Sequence, residues 1–256
     1  MEKIKLTLLF FLILIINNSF GQETDVNELV SKGVELHDKG QYSDAIEIYK
    51  KALKIDKKSS LVNYEIAYSY FSNAEYKNAI KFSKKVINLK DENLLGAYII
   101  YGNALDLHGK PSEAIKIYEE AMEKFENYLF YYNHAYTCYN LGEFDKAYNS
   151  VISAISLNPY HASSHLILSK IMKQNGSRIK AMLPLYFFLL LEPNTNRAKI
   201  EYKNLKDYID YGVTQTSEKN ITISVPLKSD DEFSAAEMMI SLLKASNNLE
   251  ENKEKS

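Results

Sequence analysis

The sequence predicts an all-α stack of about five helical hairpins, closed by a C-terminal region of helices and one short strand. Three observations carry that prediction. Ala45, Ala79, Ala114, Ala147 and Ala181 recur about every 34 residues, within YSDAIEIYKKALKID, YKNAIKFSKKVINLK, PSEAIKIYEEAMEKF, FDKAYNSVISAISLNP and RIKAMLPLYFFLLLEP. A second ladder of small residues, Gly33, Ala67, Gly102, Ala135 and Ser169, runs ahead of it at a fixed offset. Between the two ladders, Gly40, Gly109, Gly142 and Gly176 mark the corner of four hairpins.

The elements follow in order from these marks. Repeats are expected near 26–59, 60–93, 95–127, 128–161 and 162–195, starting at Val26, Ser60, Leu95, Tyr128 and Ala162 with the ladder alanine at position 20. Position 8 of helix A is small because helix B must approach closely there. Position 27 reads Ala52, Val86, Ala121, Ala154 and Phe188, bulky only at the end. Helix A stops at position 15, where glycine adopts a left-handed cap, and Pro111 is tolerated at the start of its helix because a first-turn proline loses no helical hydrogen bond. Helix B stops near position 32, where Pro159 and Pro193 cannot continue it. After Thr195 the pattern predicts an amphipathic helix from Asn196 to Tyr211, a short strand within Asn220–Pro226, and a second helix from Asp231 to Ala245. Residues 196–247 thus read as a capping region and 248–256 as a disordered polar tail.

The set of small, aromatic and proline positions resembles the tetratricopeptide repeat (TPR) family, whose pattern has a small residue at 8, an aromatic at 11 or 17, alanine at 20 and 27, and proline at 32. The resemblance runs from about Val26 to Thr195 and implies a right-handed superhelical TPR solenoid over residues 22–195. Position 4, often Trp in the family, reads Leu29, Asn63, Tyr98, Tyr131 and His165 here, and the chain contains no Trp. The spacing also slips by one residue on either side of the third repeat.

Ahead of the repeats, Lys3 and Lys5 precede the apolar run LTLLFFLILII, and Ser19 and Gly21 follow it. That is a secretory signal pattern over 1–21, cleaved after Gly21, and the run is shorter than the roughly 20 apolar residues of a membrane span. No cysteine follows, so no lipid anchor is expected. The expectation is an exported, periplasmic or secreted protein with no membrane span in the mature chain.

Composition excludes several functions. A net charge of −2 gives no electrostatic case for nucleic acid. Lys50, Lys51, Lys54, Lys81, Lys84 and Lys85 fall on solvent positions of helices B and read as a solvated face. The single cysteine, Cys138, rules out an internal disulfide and sits at a packing position as a buried thiol. HExxH, GxSxG, a phosphate loop and a zinc cysteine pair are all missing from the sequence. His161 and His165, spaced i, i+4, are the nearest thing to a metal pair, but the glutamate of a metalloprotease helix is lacking and His165 holds a packing position. No enzyme activity, cofactor or metal is expected.

In TPR proteins positions 2, 5, 9, 12 and 13 of helix A meet the ligand. The resemblance therefore implies a groove with Tyr64, Tyr68 and Phe71 from the second repeat, Asn103 and Asp106 from the third, and Tyr132, Tyr136 and Tyr139 from the fourth. Lys170, Lys173 and Gln174 from the fifth would give it a cationic end. The tyrosines admit two readings, packing between helices or a recognition surface of stiff amphipathic rings. A protein or peptide partner is the expected ligand, with a carbohydrate or peptidoglycan stacked on the rings as the alternative. The carboxylate clamp of cytosolic chaperone adaptors is excluded, since its positions hold Val30, Val34, Glu65, Gly96 and Ile100. A last anomaly is the helix AMLPLYFFLLL, where Leu183, Tyr186, Phe187 and Leu190 replace the charges of earlier repeats and Pro184 should kink the chain. The capping region is expected to fold back over it.

Overall fold

The computed structural model describes residues 26–90, 92–174, 176, 178–216, 220–224 and 232–255. The expected signal segment, 1–21, lies outside them. No helix among the described residues is long and apolar enough to cross a membrane.

The described residues form twelve helices and one two-stranded sheet. Helix α1 runs through 26–38, followed by α2 (Tyr42–Ile55), α3 (Ser60–Ser72), α4 (Tyr76–Leu89), α5 (Leu94–Leu107) and α6 (Pro111–Met122). Next come α7 (Tyr128–Asn140), α8 (Phe144–Leu157), α9 (Ala162–Gln174), α10 (Arg178–Leu191) and α11 (Asn196–Asp210). The chain then makes β1 (Val213–Gln215), β2 (Ile221–Ile223) and α12 (Ser234–Lys255). It divides into two compact units between Phe125 and Glu126. The first holds α1 to α6, three hairpins; the second holds two hairpins and everything after them.

Four hairpins close through the same corner. The amide of Gly40 donates to the His37 carbonyl at 2.8 Å and that of Gln41 to Leu36 at 2.9 Å, and the pattern repeats at Gly109 and Gly142. This double bond set needs a left-handed residue, and these glycines have φ between +75° and +79°. The second hairpin has no glycine there: Ala74 makes the same bonds at φ 57°. Helix starts are capped by side chains at Ser59, Asn127 and Thr195, whose oxygens accept from Val62, Leu129 and Ala198 amides.

Packing follows the two ladders. Ala45, Ala79, Ala114, Ala147 and Ala181 are fully buried, as are Ala52, Val86, Ala121, Ala154 and Phe188. Opposite Gly33 lies the ring of Tyr49, so close that a Cβ on the glycine would sit 2.3 Å from it; Tyr118 meets Gly102 in the same way at 2.2 Å. Cys138 is buried beside His134, Sγ to Nδ1 3.7 Å.

The C-terminal region packs on α10. Met182, Leu185 and Phe188 form a core with Ala198 and Leu205 of α11, with Phe233, Ala236 and Ile240 against it. Arg178, at the first turn of α10, fastens this cap. Its Nε donates to Glu237 Oε2 at 2.6 Å, Nη2 donates to the Glu237 carbonyl and Ser241 Oγ, and Nη1 donates to the carbonyls of Tyr208 and Tyr211. Glu237 in turn accepts the Ile179 amide at 3.0 Å, capping α10 from another helix.

Three sequence expectations change here. The cap covers one face of α10 only: Leu183, Tyr186, Phe187 and Leu190 remain exposed. That face points away from the cap core, whose contacts come from the positions between them. Pro184 lies inside α10, which runs on past it to Leu191. The expected disordered tail is instead helical to Lys255, because its Glu and Lys residues are good helix formers and α12 is already nucleated on the cap. The strand Ile221–Ile223 has an antiparallel partner, Val213–Gln215, with Thr214 opposite Thr222. Three residues are too few to show alternation in the sequence.

Candidate functional site

The candidate residues fall in both units, each of which carries a pair of tyrosines one turn apart. In the first unit, Tyr64 and Tyr68 are one turn apart on α3, with ring centroids 6.4 Å apart and planes 17° from parallel. Tyr64, at position 5, is half-buried against α5, where a Cβ on Gly96 would come within 2.6 Å of its ring. Burial, and then the neighbouring Glu65 charge, push its phenol pKa up. Tyr68, at position 9, is 42% exposed. Its other face stacks on His37 of α1 at 4.5 Å, and the imidazole is fixed by Ser69 Oγ, 2.8 Å from Nδ1. Tyr42 meets the same imidazole edge-on.

In the second unit, Tyr132 and Tyr136 repeat the pair on α7, again with centroids 6.4 Å apart. Tyr132 is half-buried, and desolvation raises its phenol pKa, with Ser163 and Arg197 of the following helices acting against it. Its ring meets the edge of His161 at 4.7 Å, and Tyr128 contacts the same imidazole. Tyr136 is 44% exposed. Arg197 donates to Ser163 Oγ at 2.9 Å and is paired with Glu192 through two nitrogens. In both units, then, the position-5 tyrosine is an anchor and the position-9 tyrosine presents a ring to solvent.

Other expected residues are already engaged. Phe71 and Tyr139, both at position 12, lean on Tyr76 and Phe144 of their own hairpins, 5.9 and 5.8 Å between centroids. Asn103 accepts a 2.8 Å hydrogen bond from Tyr118 Oη. Asp106 is half-buried in the last turn of α5. Lys170 lies 4.0 Å from Glu201, and Lys173 Nζ sits 5.4 Å above the Tyr208 ring. Helix α11 therefore offsets the expected cationic end. His165 Nε2 donates to the Pro159 carbonyl at 2.7 Å, and His161 Nδ1 is 2.8 Å from Ser164 Oγ. Among the described residues no three His, Cys, Asp or Glu side chains group to hold a metal.

His37 and Arg197 are additions to the residues expected from sequence, and His161, expected only as half of a histidine pair, packs on Tyr132 instead. His37 was findable, since it occupies position 12 of the first repeat. Arg197 was not, because nothing in the repeat frame brings α11 beside α7. The lysines of α2 and α4 lie over apolar rings, with Lys50 5.5 Å from the Tyr70 centroid and Lys84 5.2 Å from Tyr101. Their ammonium groups sit over those rings in cation–π contacts, and Lys84 also hydrogen-bonds Tyr101.

Hairpins stacked through buried small residues define the class as a helical-repeat scaffold, a fold that serves protein–protein interaction. Two family profiles match the chain, one described as anaphase-promoting complex, cyclosome, subunit 3 over residues 38–121 and one as tetratricopeptide repeat over 127–154. These matches and the fold support a tetratricopeptide repeat protein. A TPR repeat-containing protein of Methanocaldococcus jannaschii is 27% identical over 183 residues, 68% of this chain and 32% of that protein. The chain thus spans about a third of the length of that curated relative. Among solved structures, Pseudomonas aeruginosa pilF superposes with a TM-score of 0.64 at 16% identity, covering 92% of this chain and all of that one. YrrB, a TPR protein with an unusual peptide-binding site, gives 0.54 at 20% identity, covering 72% and 94%. Likeness at these identities speaks for the fold.

Proposed function

We infer that this chain is a non-catalytic scaffold or adaptor that holds an extended protein segment on its helix-A faces, in an exported compartment. The observation that carries the reading is the repeated tyrosine pair: in each unit a half-buried tyrosine stands one turn from a second that stays partly open, and an imidazole packs on the open ring in the first unit, His37 on Tyr68, and on the anchored ring in the second, His161 on Tyr132. A partly open ring whose neighbours are already fixed loses little entropy on binding and offers an exposed edge and a hydroxyl. A peptide-binding site in the structurally similar YrrB supports the same direction. Export rests on the apolar run before the repeats; amino-terminal sequencing of the protein recovered from its native envelope should begin at Gln22.

The test is a crosslinking pulldown from that envelope with the full chain, followed by titration of the recovered partner. Tyr68→Ala and Tyr136→Ala should each weaken binding about tenfold, the scale of a buried aromatic contact, while circular dichroism and melting stay unchanged. Retained affinity in both variants would refute the site. Binding confined to a glycan array, and lost in the same variants, would instead favour ring stacking on a sugar.

A further inference from the structure

Helix α10 carries an apolar face that its own chain leaves open. At positions where α2 and α4 hold Lys50, Lys51, Lys54, Lys81, Lys84 and Lys85, it holds Leu183, Tyr186, Phe187 and Leu190, exposed by 57, 44, 39 and 76%. Their spacing, i, i+3, i+4 and i+7, sets them in one stripe along the helix. Nothing charged interrupts it. The opposite face of the same helix is buried by the cap through Met182, Leu185 and Phe188, so the stripe is a second apolar surface and not the edge of the core.

The order along the stripe identifies its occupant. Leucine, aromatic, aromatic, leucine, at steps of three, one and three, reads the same from either end. A two-fold axis perpendicular to the helix, passing between Tyr186 and Phe187, maps the stripe onto itself. Self-complementarity of this kind is what an isologous interface requires. We propose that α10 is a homodimer contact, in which two copies of this chain cross antiparallel and place Leu183 of one against Leu190 of the other, with the four aromatic rings at the centre.

The area fits a reversible dimer. With aromatic side chains of about 150–250 Å2 each, the stripe leaves on the order of 400 Å2 open, within the roughly 300–600 Å2 of a monomer's largest patch, which is often functional. Pairing buries roughly twice that over both copies, on the order of 800 Å2, the low end of the range, where weak and transient interfaces lie. An interface of that size is concentration-dependent.

Sedimentation velocity of the full chain should show mass passing from monomer to dimer as concentration rises from about 1 to about 200 µM. Leu183→Glu and Leu190→Lys, both at exposed positions, should each leave only monomer, with unchanged circular dichroism and melting. Mixed in equal amounts, the two variants should regain a dimer: the antiparallel crossing sets the introduced carboxylate against the introduced ammonium and keeps one native leucine pair. A wild-type chain that stays monomeric across the range overturns the proposal. So does a dimer unaffected by either substitution, or a mixture that stays monomeric.

Discussion

Tyrosine at position 24 occurs only where position 8 is glycine: Tyr49 lies on Gly33 and Tyr118 on Gly102. Where position 8 is Ala67, Ala135 or Ser169, position 24 is Ser83, Val151 or Leu185. The two positions share one volume, and a close-packed interior holds that volume fixed. Gly33→Ala should therefore cost about 1–3 kcal/mol by overpacking, and Tyr49→Val about 2–4 kcal/mol by leaving a cavity. Urea denaturation of the double variant should fall short of their sum by about 1 kcal/mol or more, since Ala135 opposite Val151 is a combination the chain already uses. A strictly additive result would mean that the rings do not share the space. At the second corner, Ala74 holds a left-handed φ of 57° without being glycine. That conformation costs an L-residue about 1–2 kcal/mol, part of which glycine returns through a more flexible unfolded chain. Ala74→Gly should stabilise by about 0.5–1 kcal/mol, seen as a higher urea midpoint at constant slope.

Among the elements, the repeats were legible and the cap was only half so. Alanine and glycine ladders determine which helices pair, because a hairpin of this kind forces small residues into phase, and the bounds of α2 to α10 follow from them. The clasp of Arg178 on Glu237 was not legible, since its partners stand 59 residues apart and no local pattern joins them. The split between anchored and open tyrosines was hidden for another reason: position 5 and position 9 carry the same residue, and only the neighbouring helix distinguishes them. Arg178→Ala would leave Glu237 buried without its partner, a loss of about 3–5 kcal/mol. Amide exchange should then speed up through α12 while α3 and α5 stay protected. Deleting everything after Thr195 exposes Met182, Leu185 and Phe188, and the truncated protein should aggregate; a soluble, unaltered monomer would rule out the capping role.

For the molecule as a whole, each unit contains an imidazole whose pKa burial holds below the usual histidine value, His37 in the first and His161 in the second. The unfolded chain takes up these protons at about pH 6.5, the folded chain only at lower pH. Their contribution is complete at neutral pH and is lost as pH falls from about 6.5 through the lowered folded values. Thermal melts between pH 7.5 and 5 should show this decline, and His161→Gln should flatten part of it. The matched volumes of Gly33 with Tyr49 and of Ala67 with Ser83 also govern how such a protein can be recombined. Swapping α1 for α3 would drive the Ala67 methyl into the Tyr49 ring, whereas moving α1 and α2 together carries the fit along. The heritable cassette is the hairpin, and duplication or grafting at any finer grain breaks the lock it is meant to copy.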